Sequence, residues 1–350
     1  MKFFFSLHKF WEIVYISFLY SYIGGCLFDV VSVGSATRDV FVRVHPKVFK
    51  GNICFLPGSK VEVEEVDYFS GGGATNSAVA FSRLGLKAAA LCSLGKDLNA
   101  ERILKELKKE RVSTALVEFS KEKKTAYSVI LTGFGRDRVI LAYRGATAQL
   151  NDAKKIPWRK LEEMKAKWLY VSSLHAKIGV LRKLFLFAEK TKIRVAWNPG
   201  MVELKQGLEK LKPLLKKVDV LLLNKSEALT LTHNAGVERN LEKLNRFCAI
   251  VVITEGKHGV HASDGKFTYF KKPFKVKVLD NTGAGDAFNS AFVAALIRGK
   301  KVEEALGWGM ANANSVIQYL GTKNILLTQS GIKKFLRKHG KNETRKKKYA

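Results

Sequence analysis

The chain has 350 residues, of which 47% are hydrophobic and 26% charged, and this balance excludes a disordered or collagen-like protein. Its four cysteines form no CxxC pair, so the sequence signals neither a zinc site nor a disulfide framework. The 61 Lys and Arg residues outnumber 31 Asp and Glu, and the net charge of +30 suits either an anionic partner or charges spread over solvated helix faces.

The first 28 residues differ in character from the rest of the chain. Lys2 and Lys9 precede an uncharged run, residues 13–28, that resembles a signal peptide but is short for a membrane span. Because a strand pattern starts at Asp29 without a spacer, we interpret residues 1–28 as a non-structural extension, a signal-like segment or a misplaced start. Membrane contact is expected only if this segment belongs to the protein, and the predicted localisation is the cytoplasm.

From residue 29 onward, short apolar runs alternate with helical patterns. Strands are predicted at residues 29–33, 40–44, 61–68, 88–94, 112–117, 126–131, 139–143, 168–172, 194–198, 218–223 and 250–254. Helices are predicted at residues 74–84, 100–110, 178–191, 202–211, 225–231 and 237–247. This alternation indicates an α/β fold with a mostly parallel sheet that is covered by helices on both faces.

Two segments fall outside this alternation. Residues 40–69 hold short strands and turn residues but no clear helix, and with parts of residues 125–143 they are expected to form a small β lid. Residues 331–350 are rich in Lys and Arg and are expected to be a basic, solvated tail. The main domain is therefore predicted to span residues 29–330.

The most informative stretch is Asp-Asn-Thr-Gly-Ala-Gly-Asp at residues 280–286, directly before a helical pattern. Gly283, Ala284 and Gly285 place bare backbone N–H groups at a helix N-terminus, where the helix dipole favours an anion. Asp286 follows in the first turn, where a carboxylate can accept a proton from a hydroxyl group that attacks a phosphate. The alternative interpretation is an ordinary glycine-rich loop with Asp286 as a capping group.

A second glycine-rich loop, Gly71-Gly72-Gly73, also opens a helical pattern. Asn76, in that pattern, can bond ligand hydroxyl groups through both its donor and its acceptor. Asp39 follows the first strand, at the edge where ligands bind in open α/β sheets, and could accept two sugar hydroxyls. In isolation, these residues are equally well explained as parts of loops, caps and turns.

Two more polar segments follow apolar strands. Asn224 can reach a nucleotide phosphate and Glu227 a hydrated Mg²⁺, although a helix cap with a first-turn acid explains the pair equally well. Thr254 and Gly256 end another strand, where they could border a nucleotide or form a plain turn.

Taken together, these motifs resemble a known family. GGGATNSAVAFSRLG at residues 71–85 and DNTGAGDAFNSAF at residues 280–292 look like the two signatures of the PfkB/ribokinase family of carbohydrate kinases. The opening VVSVGSATRD and the middle NKSE are similar to that family too, and the resemblance covers roughly residues 29–330. No GxxxxGK[ST] loop and no HRD or DFG motif occurs, which disfavours other phosphoryl-transfer folds.

The resemblance implies a ribokinase-like three-layer α/β/α sandwich with a small β lid, and an ATP-dependent kinase acting on a hydroxyl of a sugar or related small molecule. The implied cofactors are ATP and Mg²⁺, with K⁺ as a further candidate. The implied catalytic residues are Asp286 as general base and Gly283, Ala284 and Gly285 as anion hole. The implied binding residues are Asp39, Gly72, Gly73 and Asn76 for the substrate; Asn224, Glu227, Thr254, Gly256 and Asn312 for the nucleotide; Glu227 for Mg²⁺ through water; and Asp280 and Thr282 for a monovalent cation.

The acceptor remains open at this point. Gly73 stands where ribokinases proper carry a lysine, which puts ribose specificity in doubt. Arg144 is expected on the substrate side, where it would bind an acidic or phosphorylated sugar or simply pair with a surface carboxylate. A nucleoside (adenosine-like) kinase of the same fold is one alternative, and a non-catalytic ligand-binding or nucleic-acid-binding member is another.

The expected partners follow from the same reasoning. The substrate is a small sugar or nucleoside, and the intact catalytic loop argues against a pure binding protein. No specific nucleic-acid partner is expected, because the basic tail lacks a stacking platform for bases. The resemblance adds a homodimer formed through the lid as a candidate assembly.

Overall fold

The computed structural model describes residues 27–44, 47–49, 52–133, 138–340 and 343–349. Its strands are β1 (Phe28–Val33), β2 (Thr37–Arg43), β3 (Lys47–Phe49), β4 (Asn52–Cys54), β5 (Glu65–Gly71), β6 (Ala88–Leu91), β7 (Ser93–Leu94), β8 (Glu118–Phe119), β9 (Ala126–Thr132), β10 (Val139–Tyr143), β11 (Ala166–Val171), β12 (Arg194–Trp197), β13 (Val220–Asn224), β14 (Ile250–Thr254), β15 (Val260–Ser263), β16 (Phe267–Lys271) and β17 (Arg345–Lys348). Its α-helices are α1 (Gly73–Arg83), α2 (Leu98–Lys109), α3 (Trp158–Glu163), α4 (Ile178–Lys190), α5 (Met201–Leu204), α6 (Leu208–Leu215), α7 (Lys225–Thr232), α8 (Val237–Asn245), α9 (Ala284–Ile297), α10 (Val302–Val316) and α11 (Gln329–Lys338).

A nine-stranded sheet forms the middle layer, in the order β17-β16-β15-β14-β13-β12-β11-β1-β6. The strands from β6 to β14 in this order pair in parallel, while β15, β16 and β17 continue the sheet antiparallel. The predicted α/β class with a mostly parallel central sheet is therefore confirmed.

The hydrophobic core lies on both faces of this sheet. Successive residues of one strand point to opposite faces, so Val31 and Leu169 join one cluster while Val30 and Trp168 join another. Helix α4 supplies Phe185 to the first cluster, and helices α9 and α10 cover the second. Apolar runs that are buried on both sides explain why the parallel strands show no polar alternation.

A separate four-stranded sheet, in the order β10-β9-β2-β5, forms the lid. Strand β2 pairs antiparallel with β5 and parallel with β9, and β9 pairs antiparallel with β10. The lid sheet starts earlier than predicted, at Thr37, so Asp39 lies on a lid strand rather than in a turn.

Some predicted elements differ from the structure. The predicted strand at residues 61–68 begins only at Glu65, and residues 112–117 make a single bridge from Ser113 to Ala89 rather than a strand. The predicted helix at residues 202–211 is divided into α5 and α6. Gly207 separates them with φ of 85°, a left-handed conformation that interrupts a helix.

The basic C-terminal segment is more ordered than the sequence suggests. Ile332 of α11 is fully buried, and β17 adds an antiparallel strand to the main sheet. The Lys346 ammonium group lies 4.1 Å from the Phe267 ring centroid and 2.8 Å from a Glu303 carboxylate oxygen. A lysine can cover apolar surface with its stem while its charge is paired, which explains how a basic segment joins a sheet edge.

The predicted extension at residues 1–28 lies almost entirely outside the described residues, which begin at Leu27. Its nature therefore stays a prediction. Among the helices of the described ranges, none is long and apolar enough to cross a membrane.

The core contact between Phe185 and Trp197 provides a test of this packing. Both side chains are fully buried, and their rings meet edge to face at 5.3 Å. We expect Phe185→Ala to lower the free energy of unfolding by about 3–5 kcal/mol, because it leaves a cavity at the centre of one layer. The measurement is urea unfolding, with Leu186→Ala as the control because Leu186 is 36% exposed. Equal losses in the two variants would contradict the arrangement.

Candidate active site

The candidate site lies at the edge of the main sheet where the parallel strands end. Strands β1, β11, β13 and β14 end there in polar or small residues, among them Gly34, Ser172, Asn224 and Thr254. The N-termini of α1 and α9, which follow the two glycine-rich loops, meet at this edge. The carboxyl edge of a parallel sheet is the usual ligand-binding position in open α/β folds.

One hydrogen bond joins the two motifs. Asn76 Nδ2, in the first turn of α1, donates to Asp286 Oδ2, in the first turn of α9, at 2.8 Å. Thr322 Oγ1 donates to Asn76 Oδ1 at 2.9 Å, which fixes the orientation of the Asn76 amide. Residues that are 210 positions apart in the chain are thus held side by side.

Asp286 has the surroundings of a tuned acid–base group. Burial raises the pKa of its carboxyl group, the hydrogen bond from Asn76 and the Lys323 ammonium group lower it, and the Asp39 carboxylate raises it. A carboxyl group whose pKa is raised by burial suits general acid–base work, and such groups concentrate at functional sites.

The glycine-rich loop before α9 is shaped by its neighbours. Gly283 adopts a φ of 80°, and a Cβ atom there would lie 2.8 Å from the Thr322 side chain, so only glycine fits. A Cβ atom on Gly285 would meet nothing within 4 Å, so this residue faces open space. The start of α9 is therefore accessible to a ligand beside Asp286.

Asp39 is 7% exposed and lies on lid strand β2. Thr37 Oγ1 donates to its Oδ1 atom at 2.9 Å. Burial raises the pKa of the Asp39 carboxyl group, while the side chains of Thr37 and Ser128 lower it. A Cβ atom on Gly71 would overlap Asp39 Oδ2. The Asp39 carboxylate can therefore occupy its position only because the first residue of the loop is glycine.

Gly72 and Gly73 give α1 a tightly enclosed start. Gly72 is the N-cap, with φ of 97°, and the Gly73 N–H donates to Ser35 Oγ at 3.0 Å. A Cβ atom on Gly73 would overlap Ser172 Oγ. A side chain at this position would therefore require the Ser172 side chain to move.

Asn224 and Glu227 form a reciprocal helix cap. The Glu227 N–H donates to Asn224 Oδ1 at 2.9 Å, and the Asn224 N–H donates to Glu227 Oε2 at 2.8 Å. Burial raises the pKa of the Glu227 carboxyl group, the bond from the Asn224 N–H lowers it, and Asp286 raises it. Asn224 Nδ2 and Glu227 Oε1 take no part in the cap, so capping and ligand binding are compatible.

Thr254 lies beside Asn224 in the parallel register of β13 and β14. Gly256 follows in a short 3-10 turn with φ of 55°. Between them, Glu255 accepts bonds from Lys225 at 2.8 Å and His261 at 3.0 Å. The sequence analysis missed this carboxylate, which ties the Thr254–Gly256 turn to the start of α7.

Asp280 and Thr282 form a local turn before α9. Asp280 Oδ1 accepts bonds from the Thr282 N–H at 3.0 Å and from Thr282 Oγ1 at 2.7 Å. Asp280 Oδ2 is buried without a hydrogen-bond partner among the described residues. Arg138, from the lid, places Nη1 3.9 Å from Asp280 Oδ1, so positive charge already approaches this loop.

Asn312 has hydrogen-bond partners within the fold. Its side chain is fully buried, donates to the Ala287 carbonyl oxygen at 2.9 Å and accepts a bond from the Leu327 N–H at 2.8 Å. The amide therefore connects α10 to α9 and to the segment before α11, and its predicted place beside the nucleotide stays a prediction.

Arg144 is exposed where β10 leads into the 3-10 segment Gly145–Asn151. It lies near His175, whose pKa is lowered by burial and then by the Arg144 charge. The sequence prediction that Arg144 is on the substrate side stays a prediction.

The fold and this site define the class of ribokinase-like kinases. A profile of the pfkB family carbohydrate kinases matches residues 28–329. The chain therefore belongs to that family, as its motifs predict.

Individual relatives agree with this assignment. The chain is 25% identical to the ribokinase of Haemophilus influenzae over 289 residues, 80% of this chain and 91% of that protein. Its fold is similar to that of the Methanocaldococcus jannaschii nucleoside kinase (TM-score 0.74, 21% identity), covering 90% of this chain and 100% of that one. It is also similar to Arabidopsis thaliana ribokinase in complex with ribose and ATP (TM-score 0.77, 20% identity), covering 88% and 98%.

The enclosed start of α1 leads to a test. We expect Gly73→Ala to destabilise the protein by about 1–3 kcal/mol, because its Cβ atom overlaps the Ser172 side chain. The double variant with Ser172→Gly should recover part of that loss, which thermal unfolding would measure. Gly285→Ala is the matched control and should unfold at the wild-type temperature. A Gly73→Ala protein as stable as the control would show that the overlap is absent.

Proposed function

We propose that the protein is an ATP-dependent kinase that transfers the γ-phosphate to a hydroxyl group of a sugar or a related small molecule. The observation that carries the proposal is the 2.8 Å bond between Asn76 and Asp286, which puts a polar amide and a half-buried carboxylate side by side. Membership of the pfkB family supports it, as does the similarity to a ribokinase in complex with ribose and ATP.

In the proposed reaction, Asp286 is the general base. The acceptor hydroxyl oxygen forms a bond to the γ-phosphorus, the bond from that phosphorus to the β–γ bridging oxygen breaks, and ADP leaves. The hydroxyl proton passes to a carboxylate oxygen of Asp286. Burial raises the pKa of this group, so the proton is accepted more readily than by an exposed aspartate.

The acceptor is held by Asp39 and Asn76. A hydroxyl group that enters between Asn76 and Asp286 can accept a bond from the amide and donate one to the carboxylate, replacing the direct bond between them. Asp39 can accept bonds from further hydroxyls while Thr37 orients it. Gly72 and Gly73 keep side chains away from this space.

The start of α9 stabilises the transferred phosphoryl group. The N–H groups of Gly283, Ala284 and Gly285 lie at its N-terminal end, where the helix dipole places about half a unit of positive charge. The Ala284 N–H also donates to the Asn281 carbonyl oxygen at 3.3 Å. Preorganised donors of this kind stabilise charge that develops in a transition state. The open face of Gly285 is where a phosphate oxygen can approach closely.

The proposed cations, Mg²⁺ and K⁺, are compatible with the acidic side chains of the site. The like charge of Asp286 raises the pKa of Glu227, and the positive charge of a bound divalent cation would offset this repulsion. The described ranges contain no group of three or more His, Cys, Asp or Glu side chains suited to a metal, so Mg²⁺ would be held mainly by phosphates and water, with Glu227 as an outer partner. The bound Mg²⁺ would neutralise part of the negative charge of the ATP phosphates. The unpartnered Asp280 Oδ2, with Thr282, is the candidate position for K⁺.

On the nucleotide side, the proposal retains Asn224, Glu227, Thr254 and Gly256. The first two keep free side-chain atoms beyond their cap, and the last two lie next to them in the sheet register. A kinase that consumes ATP is expected in the cytoplasm.

A nucleoside acceptor is the second candidate, supported by the fold similarity to the M. jannaschii nucleoside kinase. ADP release in the presence of ATP, Mg²⁺ and K⁺ separates the candidates when sugars, sugar acids, sugar phosphates and nucleosides are compared. A preference for acidic or phosphorylated sugars that is lost in Arg144→Ala would assign the acceptor contact to Arg144.

Asp286→Asn is the direct test of the general base. We expect kcat to fall by roughly 10²–10⁴-fold, because the variant cannot accept the proton. When the pKa of a carboxyl group is higher in the folded than in the unfolded protein, its ionisation destabilises the folded protein at pH values above the unfolded-state pKa. Burial raises the pKa of Asp286 in this way, and the neutral amide of the variant removes this cost. The variant should therefore unfold at the same or a higher temperature at pH 8.

The matched control is Asp152→Asn, an exposed aspartate outside the site. It should retain wild-type turnover. Undiminished activity of Asp286→Asn would rule out Asp286 as the base while leaving the kinase itself intact.

The proposal also includes a homodimer formed through the lid. Apolar side chains are exposed on the two lid edges: Val66, Tyr68, Val139, Ile140, Leu141 and Tyr143. Large apolar side chains exposed in such number on one small sheet are typical of an interaction site.

Sedimentation velocity tests the assembly. We expect the protein to sediment as a dimer and Leu141→Lys to shift it to monomer, because the added charge would be buried at the contact. Leu186→Lys is the matched control, since Leu186 is 36% exposed and lies on α4, outside the lid sheet. A monomeric wild-type protein at micromolar concentration would refute the dimer.

A further inference from the structure

A lysine outside all the predicted motifs lies inside the candidate site. Lys323 follows α10, and its side chain is 5% exposed. Its ammonium group lies 3.1 Å from Glu106 Oε1 and donates to Thr75 Oγ1 at 3.2 Å. Lysine is almost never fully enclosed unless it is paired, so the fold holds this cation at a specific place.

The partners of Lys323 belong to the elements that build the acceptor side. Thr75 is in the first turn of α1, where its Oγ1 atom donates to the Gly71 carbonyl oxygen at 2.7 Å. The other carboxylate oxygen of Glu106, on α2, accepts a bond from Ser70 on lid strand β5. The ammonium group therefore connects α1, α2 and the lid.

The backbone around Lys323 is fixed as firmly as its side chain. Arg83 Nη1 donates to the Lys323 carbonyl oxygen at 2.8 Å, while Nε and Nη2 of Arg83 bond the two carboxylate oxygens of Glu110 at 2.9 and 2.7 Å. The preceding residue, Thr322, donates to Asn76. One short segment thus contacts the residue that binds Asp286 and places a cation next to it.

We infer that Lys323 is a positioning residue for the proposed phosphoryl transfer: its enclosed ammonium group fixes the first turn of α1 and supplies the positive charge that faces both Asp39 and Asp286. The inference rests on the proposed function, which requires these two carboxylates to be ionised together in one small volume. Two buried like charges oppose each other unless a cation accompanies them.

The electrostatic surroundings agree with the geometry. Burial raises the pKa of Asp39 and of Asp286, and Lys323 lowers both. Burial lowers the pKa of Lys323 itself, and the carboxylates that face it raise it again. The other titratable groups near Lys323 are Glu106, Glu110 and Cys92. Those near Asp286 are Tyr170 and Glu227. Arg38 lies near Asp39.

The test is Lys323→Gln in the full chain. Glutamine can still bond Thr75 and Glu106 but carries no charge. Without the cation the pKa of Asp286 rises further, so the acidic limb of the pH profile of kcat should move up by roughly 1 pH unit, the lower end of the shift caused by a nearby opposite charge. At pH values on the acidic limb, a shift of about 1 pH unit lowers kcat by up to about 10-fold, while KM for ATP should stay within about twofold.

Two comparisons separate the charge from general damage. Lys323→Arg keeps the charge and should return the acidic limb to within about 0.3 pH unit of wild type, well inside the shift expected for charge removal. Lys271→Gln makes the same change at another lysine that is 5% exposed, on β16, and should leave the limb in place. If Lys323→Gln does not fold, as judged by circular dichroism, Lys323→Met serves instead because its side chain needs no polar partner.

A second readout does not depend on turnover. The ¹³C carboxyl resonance of Asp286, assigned by its loss in Asp286→Asn, should titrate with a higher midpoint in Lys323→Gln than in wild type. An unchanged midpoint and an unchanged acidic limb in a folded variant would overturn the role of Lys323 and leave the kinase intact. The opposite result is a wild-type protein that phosphorylates no acceptor, while the Asp286 midpoint in Lys323→Gln is shifted as expected. That result would overturn the proposed function instead.

Discussion

The site depends on the junction between α1 and α9, which the bond from Asn76 to Asp286 closes. Each helix start alone offers backbone N–H groups and a short loop, which many proteins have. Joined, they place the Asn76 amide, the half-buried Asp286 carboxylate and a helix N-terminus within one small space, and these are the three groups on which the proposed reaction depends. The sheet supports this junction because both loops reach the same edge of the parallel strands. The Thr322 hydroxyl group donates to Asn76 Oδ1 and so holds the Asn76 side chain in place.

Much of the fold was predictable because its signals are local. Buried parallel strands appear as apolar runs, so β14 was predicted at its observed bounds. The exposed lid strand β10 was also predicted at its observed bounds, because it too is a short apolar run. The helix starts after both glycine-rich loops were predicted as well. The errors have physical reasons. Gly207 breaks a helix whose apolar pattern continues across it, and the basic C-terminal strand β17 is stabilised by aromatic rings that are distant in sequence.

The site was predictable only where residues stand in motifs. Asp286, Asn76 and the glycines were found because glycine-rich loops before helices have a recognisable pattern. Lys323 and Glu255 were missed because a buried charge is defined by its partners, which are supplied by other elements. The partners of Asn312 were not predictable for the same reason, since its sequence context does not reveal that Ala287 and Leu327 bond the two ends of its amide.

The lid sheet has one feature that affects how selectivity could evolve. Asp39 pairs in register with Phe69 of β5 on one side and with Ser128 of β9 on the other. Any change that alters the twist or spacing of those three strands therefore moves the carboxylate relative to the base. Substitutions on the outer surface of the lid, far from any ligand, would then retune which hydroxyl of an acceptor is presented, and natural variation in acceptor preference need not be confined to the pocket walls.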